Sequence, residues 1–312
     1  MIMAKEFDLV IIGTGPAGYT ASIYAGRFKV SNLIIGHLPG GTISETSHVA
    51  NFPTEEEIGG MALAEKMRGR ALHFGATEVL DRVVAIKKIA GKKAYRISTE
   101  LGDQYIGKTL ILATGLERRK LGAAGEEKFN RRGVAYCATC DAPFFKNKTV
   151  AVVGGGDAAN TASLHLAGFA EKVYQIYEGN ELDGDQNWVD QLKKNEKITL
   201  IPKTKIREIG GDKWVSYVGL SQSYGGSEQL SVQGVFIEIG SKPNAEIFNE
   251  IDVKIDDGGY IIVDAAQSTN AHGIFAAGDI TTNSNMFRQV ITACAEGAVA
   301  AQSAFKYLRL QK

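Results

Sequence analysis

Two apolar runs, each ending in a glycine loop that opens a small-residue helix, constrain this chain more than any other feature. Residues 7–12 (FDLVII) lead into Gly13-Thr14-Gly15-Pro16-Ala17-Gly18, and residues 149–153 (TVAVV) lead into Gly154-Gly155-Gly156-Asp157-Ala158-Ala159. An apolar run without alternation that stops at glycine reads as a strand buried on both faces of a parallel sheet. Residues 16–27 and 158–166 then read as helices, and 33–35 and 173–177 as the strands that return. In such a turn the first glycine allows the bend and the second lets backbone approach a pyrophosphate. The third, which is Ala159 in the second loop, allows close helix–strand packing. The helix N-terminus then presents its N–H groups to the anion. The repeat predicts an α/β chain with two dinucleotide-binding units.

The remaining pattern fills in around these units. Leu63, Met67, Ala71 and Phe74 share one face of a helix expected over 61–74. Residues 79–89, 93–98 and 104–107 read as an antiparallel meander, and 110–113 as a return to the parallel sheet. A second meander is expected over 198–239, with turns at Gly210-Gly211 and Gly225-Gly226. An apolar stretch over 273–279 ends in Gly278-Asp279, and an alanine-rich helix over 288–308 closes the chain.

Composition excludes several classes. Lys+Arg and Asp+Glu are both 35 in 312 residues, so no global charge draws the chain to nucleic acid or to an anionic membrane. No uninterrupted apolar segment is long enough to span a bilayer, and residues 1–6 lack a signal-peptide pattern, so a cytoplasmic address is expected. Three cysteines are too few for a disulfide-stapled secreted domain, yet Cys137 and Cys140 form a C-x-x-C pair. A structural zinc site needs two further ligands at matching spacing, and the chain offers none, so no metal is expected. The pair reads as redox-active, because C-x-x-C lowers one thiol's pKa and makes a thiolate available for exchange. Asp141, next in the chain, is placed either to return a proton to a leaving thiolate or to cap a helix. Cys294 sits between alanines in the closing helix and reads as packing.

The two loops lead into chemically different segments. The first returning strand ends Ile35-Gly36-His37, with no acid to hold a ribose hydroxyl, which disfavours NAD and leaves FAD. Asp279 can place a carboxylate against the ribityl or pyrophosphate region of such a cofactor, or serve as a helix cap. After the second loop the strand ends in Tyr177-Glu178-Gly179-Asn180-Glu181-Leu182-Asp183-Gly184-Asp185, four carboxylates and no cation where NADPH would need Arg or Lys. Each close like-charge contact costs on the order of 1 kcal/mol even near the surface. Glu178 stands where an acid can accept a ribose 2′-OH bond, so NADH stays open beside an empty, solvated loop.

Taken together, the Gly13–Gly18 loop, Asn51-Phe52-Pro53, Ala113-Thr114-Gly115, the segment 133–141 (GVAYCATCD), 273–279, Arg288-Gln289 and Glu296-Gly297-Ala298 resemble the low-molecular-weight thioredoxin reductase family nearly end to end. The resemblance implies two Rossmann-like, three-layer ββα domains, the second inserted in the first: an FAD-binding domain over 1–117 and 246–312, and a central domain over 118–245. It implies that Gly13, Gly15, Pro16, Ala17, Gly18, Gly41, Thr42, Asn51, Ala113, Thr114, Gly115, Gly278, Asp279, Arg288 and Gln289 surround FAD. It implies that Cys140 takes electrons from the flavin, that Cys137 attacks a thioredoxin-like partner disulfide with Asp141 as acid, and that the protein is a homodimer. A second nucleotide site would comprise Gly154, Gly156, Asp157, Ala158, Ala159 and Glu178.

Two departures stand out. Family members that use NADPH have His-Arg-Arg and a further Arg where this chain has Tyr177-Glu178-Gly179 and Asp183, and a usual glutamine after the Gly-Gly turn is Thr42. Relatives lacking the basic motif take electrons from reduced ferredoxin or hold a second flavin. The chain resembles such a variant, with ferredoxin or another flavin or iron–sulfur donor expected first, NADH second and NADPH last. A flavin-binding redox sensor without turnover is the alternative.

Overall fold

In this computed structural model the described residues are 4–45, 49, 51–243 and 246–311, and the side chains of residues 45, 139, 140 and 246 lie outside the description. The chain divides into two units, Met1–Glu117 with Lys242–Lys312, and Arg118–Ser241. The second crossing therefore falls at 241/242, whereas the sequence motifs suggest 245/246.

The first unit begins with β1 (Lys5–Ile12), α1 (Pro16–Arg27), β2 (Asn32–Ile35), α2 (Gly60–His73) and β3 (Thr77–Val79). It continues through β4 (Val83–Lys88), β5 (Tyr95–Thr99) and β6 (Gln104–Leu112) to β7 (Glu117–Arg118) at the crossing. Its sheet has the order β3-β2-β1-β6-β5-β4. The strand β17 (Ile274–Ala276), contributed by the C-terminal segment, also pairs with β6. Strands β1, β2, β3, β6 and β17 are parallel, as uninterrupted apolar runs require. Leu9 and Ile11 of β1 pack toward the helices with Ile34 and Ile111, while Val10 and Ile12 pack toward β4 and β5 with Ile86 and Ile97. The period of two in a strand thus builds both outer layers from one sequence run.

One expectation is corrected here. Residues 104–107 and 110–113 are not two elements. They lie in the single strand β6, whose first half pairs antiparallel with β5 and whose second half pairs parallel with β17. Gly107 lies in the half paired with β5, where a Cβ would lie 2.8 Å from Val10 Cγ2 of the neighbouring β1. The closing helix α6 (Val290–Leu310) packs with α1 on the helical face. Among the described residues no helix is long and apolar enough to cross a membrane.

The second unit contains β8 (Val134–Ala135), α3 (Ala138–Asp141), β9 (Thr149–Val153), α4 (Asp157–Ala167), β10 (Lys172–Ile176), α5 (Gln186–Lys194) and β11 (Ile198–Ile201). It continues with β12 (Ile206–Gly211), β13 (Val215–Tyr224), β14 (Ser227–Ser231) and β15 (Gly234–Ile237), and reaches the crossing strand β16 (Ser241–Lys242). Its main sheet, β11-β10-β9-β15-β8, is parallel throughout. The expected meander over 198–239 is therefore shorter: only β12-β13-β14 form it, and both of its presumed ends belong to the parallel sheet. The later end, β15 (GVFI), is a fully buried apolar run without alternation, the signature of an interior parallel strand. The earlier end, β11 (ITLI), is the sheet's edge and is buried only at its two terminal residues. Gly225 and Gly226, at φ 60° and 86°, make the two-residue turn joining the paired residues Tyr224 and Ser227. Val150, Val152 and Phe236 face α4, and Ala151, Val153 and Val235 face the meander. Each unit is thus a Rossmann-like ββα sandwich.

Candidate functional site

In the first unit the sheet order brings four distant segments to the C-terminal ends of β1, β6 and β17. Gly13 adopts φ +123°, and a Cβ there would lie 1.9 Å from Ala113 O. A Cβ on Gly41 would lie 3.1 Å from Gly15 Cα, and one on Gly278 would lie 2.9 Å from Ala17 Cβ. Gly18 meets Gly13 O in the same way, at 1.9 Å. The first glycine loop, the Gly40-Gly41 turn, Ala113-Thr114 and Gly278-Asp279 are therefore one cluster. Thr42 sits exposed in the turn after Gly41.

The cluster has the character of an anion cradle. Helix α1 starts at Pro16 with no side chain capping its N-terminus and no acid in its first turn. Its free N–H groups suit a pyrophosphate. Gly15 has open space where a Cβ would point, its nearest neighbour being Gly40 O at 4.0 Å. The Thr114 hydroxyl is buried with no hydrogen-bond partner among the described residues. Buried hydroxyls are normally paired, so this one fits a bound cofactor that supplies the partner.

Farther along, Asn51 Nδ2 donates to Gln289 Oε1 at 2.9 Å, joining residues 238 positions apart. The Arg288 guanidinium lies 4.4 Å from the centre of the Tyr260 ring, and its Nε donates to Asp279 O at 3.5 Å. Burial pushes the Asp279 carboxyl above its ordinary range, with the Arg288 cation opposing and Glu296 adding to the rise. At the end of β2, His37 stands 3.2 Å from Arg82 Nη2, and burial together with that cation lowers its pKa. The sequence motifs give Tyr260 and Arg82 no place at the site, and Glu296 enters only among the residues that carry the family resemblance, with no role assigned.

In the second unit Cys137 is 9% exposed and disulfide-bonded, whereas Cys294 is a free, half-buried thiol in the first unit. The Cys140 side chain lies outside the described residues. Asp141 N–H donates to Cys137 O at 3.1 Å, closing the single turn of α3. Just before Cys137, the Tyr136 hydroxyl donates to Glu126 Oε1 at 2.6 Å, and the Glu126 carboxylate also accepts from Leu121 and Gly122 N–H. This buried carboxylate ties the strand leading into the cysteine motif to the start of the unit.

The second glycine loop keeps its geometry. Gly154 has φ +139° and would clash with Glu238 O at 2.2 Å, and Gly156 opens onto free space. Its electrostatics differ from those of the first loop. Helix α4 carries Asp157 in its first turn, where Asp157 Oδ1 accepts Asp185 N–H at 2.7 Å. Asp183 is drawn back onto the loop, its N–H donating to Gly155 O at 2.7 Å and its carbonyl accepting from Asn160 Nδ2 at 2.8 Å. Ala158 and Ala159 come next in α4, and a Cβ on Gly154 would lie 2.9 Å from Ala159 Cβ. One expectation is corrected: a cation does reach the acidic segment, because Lys205 Nζ lies 2.9 Å from Glu178 Oε2. The pair is exposed, so it is worth no more than about 1 kcal/mol. Lys205 lies 27 residues beyond Glu178 and is brought alongside by the β10–β11 pairing, which inspection of the local segment could not reveal.

A family model of pyridine nucleotide-disulphide oxidoreductases matches residues 7–297. The thioredoxin reductase of Peptoclostridium acidaminophilum is 40% identical over 321 residues, covering 98% of both chains. The chain belongs to the thioredoxin reductase family. Among solved members, the Lactococcus lactis thioredoxin reductase matches at TM-score 0.90 and 36% identity, over 97% of this chain and 99% of that one. A ferredoxin-flavin thioredoxin reductase from Clostridium acetobutylicum matches at TM-score 0.54 and 31% identity, over 99% and 100%. As a member of this thioredoxin reductase family the chain is a flavoprotein oxidoreductase acting on a disulfide, and the cradle of the first unit fits FAD.

Proposed function

We propose that the protein reduces a thioredoxin-like partner through a Cys137–Cys140 disulfide, with FAD bound in the first unit and electrons arriving from a donor other than NADPH. The observation that carries the donor reading is the second glycine loop, intact in backbone but with Asp157 in the first turn of its helix and followed by Glu178, Glu181, Asp183 and Asp185. Against these acids only Lys205, paired with Glu178, stands as a cation among the described ion pairs. Reduced ferredoxin or another iron–sulfur or flavin carrier ranks first and NADH second. The existence of a ferredoxin-flavin relative of similar length supports that order. A second FAD in the central unit is the remaining use for its loop.

Gly13, Gly15, Pro16, Ala17 and Gly18 receive the pyrophosphate, with Gly41, Thr42, Ala113, Thr114, Gly115, Gly278 and Asp279 around the rest of the cofactor. Asn51, Arg288 and Gln289 border its flavin end. When bound, FAD supplies a two-electron carrier between the donor and the protein's sulfurs. The Cys137–Cys140 disulfide accepts two electrons and two protons and opens to a dithiol. Cys137 gives its proton to Asp141 and, as thiolate, attacks one sulfur of the partner disulfide. Asp141 returns that proton to the displaced partner sulfur, leaving a Cys137–partner mixed disulfide. Cys140, losing its proton to solvent, then attacks the Cys137 sulfur of the mixed disulfide. The second partner sulfur leaves and takes a proton from solvent, which restores the Cys137–Cys140 bond and leaves the partner as a dithiol. The protein is expected to act as a cytoplasmic homodimer.

Anaerobic mixing tests the donor. Purified protein should be yellow, photoreduced protein should reduce thioredoxin or DTNB, and micromolar NADPH should bleach the flavin slowly or not at all. Replacing Glu178 and Asp183 together with Arg should strengthen NADPH binding at least about fivefold, since Lys205 already offsets Glu178 and the repulsion of about 1 kcal/mol removed is that of Asp183. Rapid bleaching of the wild-type flavin by micromolar NADPH sinks the donor assignment. Photoreduced protein that reduces neither disulfide substrate favours the sensor instead.

A further inference from the structure

We propose that Glu296 is a positioning residue of the flavin site, fixing the turn that carries Asp279 and adding a negative charge that tunes the bound flavin. The inference rests on FAD occupying the first unit. Glu296 is 5% exposed on α6, where the other buried positions are Ala293, Gly297, Ala300, Ala301 and Ala304. A carboxylate in such a stripe is costly unless hydrogen bonds satisfy it. Its Oε2 accepts Gly278 N–H at 2.7 Å and the Thr281 hydroxyl at 3.0 Å, and its Oε1 accepts the Ser284 hydroxyl. All three donors fall within 278–284, the stretch after β17 that contains Asp279.

The Thr281 hydroxyl also lies 3.0 Å from Gly278 O, but that carbonyl already receives Thr281 N–H at 2.9 Å. A hydroxyl has one hydrogen to give, and a carboxylate is the stronger acceptor, so the proton belongs to Glu296. Gly278 has φ +82°, and a Cβ there would lie 2.9 Å from Ala17 Cβ of the glycine loop, while a Cβ on Gly297 would lie 2.2 Å from Ala17 O. Glu296 and its neighbour therefore register α6 against the loop that receives pyrophosphate and against the turn that presents Asp279. Asp279 and Arg288 are the other charged groups at this turn, and Glu296 raises the Asp279 pKa alongside burial.

Geometry and charge can be separated by substitution. Glu296→Gln keeps an oxygen for Gly278 N–H and Thr281, and its amide can donate to the Ser284 oxygen, so only the charge is lost. Glu296→Ala removes all three anchors. In holoprotein, Glu296→Ala should release FAD at least about tenfold more readily on dilution, read as recovered flavin fluorescence, whereas Glu296→Gln should stay within about threefold of wild type. Reductive titration should place the Glu296→Gln flavin at a more positive midpoint potential, because added electrons are no longer opposed by a negative charge held at the Asp279 turn. If Glu296→Ala does not fold, the Thr281→Val/Ser284→Ala double variant carries the geometric test with the same expected direction. Wild-type FAD retention in the tested anchor-loss variant, or an unshifted potential in Glu296→Gln, overturns the proposal. Wild-type protein without flavin after reconstitution would instead overturn the FAD reading beneath it.

Discussion

Cys137→Ser is expected to lower the reduction of thioredoxin or DTNB by at least about 1,000-fold while leaving the flavin content of the protein unchanged. A serine hydroxyl has no appreciable anion near neutral pH, whereas a C-x-x-C thiol does, and the anion is the species that exchanges. Removing one member of a catalytic set that works as a unit commonly costs this much or more. Cys294 cannot substitute: burial raises its pKa, and its sulfur faces Pro16 O at 3.9 Å within the first unit. The flavin cradle is assembled wholly from the first unit, so FAD stoichiometry should not respond. Single-turnover reduction of DTNB by photoreduced protein reads the rate, and absorbance of the extracted flavin reads the stoichiometry. A variant that keeps a tenth of the wild-type rate would remove Cys137 from the exchange step.

Gly13→Ala should empty the cradle and lower the unfolding midpoint by roughly 8–16 °C. The new methyl group would sit 1.9 Å from Ala113 O and 2.5 Å from Ala113 C, both backbone atoms, at a residue with φ +123°. Those atoms cannot retreat, because Ala113 N–H is bonded to Ile12 O at 2.8 Å and Gly13 N–H to Ile35 O at 2.7 Å. Backbone strain of about 1–3 kcal/mol and a steric cost of similar size combine to about 4 kcal/mol, which converts to that shift for a unit of this size. Gly102→Ala is the control: it also has positive φ, +93°, but no atom within 4 Å of its Cβ position. It should cost about 1 kcal/mol and leave FAD bound. Equal midpoints and equal flavin content for the two variants would show that the close approach at Gly13 is not what shapes the loop.

Much of the fold was legible because its signals are local. The helix expected at 16–27 is α1 to the residue, since glycine and proline mark its start and an unbroken small-residue run sustains it. The expected helix at 61–74 and strand at 33–35 each differ from α2 and β2 by a single residue at the ends. Strand β6 reads as two elements in the sequence because Gly107-Lys108-Thr109 interrupts its apolar pattern, while the continuous pairing with β1 that joins the halves leaves no mark on hydrophobic periodicity. The run Tyr260-Ile261-Ile262-Val263 has strand-like composition, yet only Ile261 makes isolated bridges, to Ile255 and Thr281. Its aromatic residue instead lies under Arg288.

The chain's order of residues by itself determined the two glycine loops, the α/β alternation, the C-x-x-C pair and the acidic segment after β10. Each of these is written within a few neighbouring positions, where backbone sterics and the periods of helix and strand act. Only the tertiary structure decided that Asn51 meets Gln289, that Lys205 reaches Glu178, and that Glu296 grips the turn of Asp279. Those contacts depend on strand order and helix register, which are settled by burying whole faces of the sheets and not by any one residue's preference.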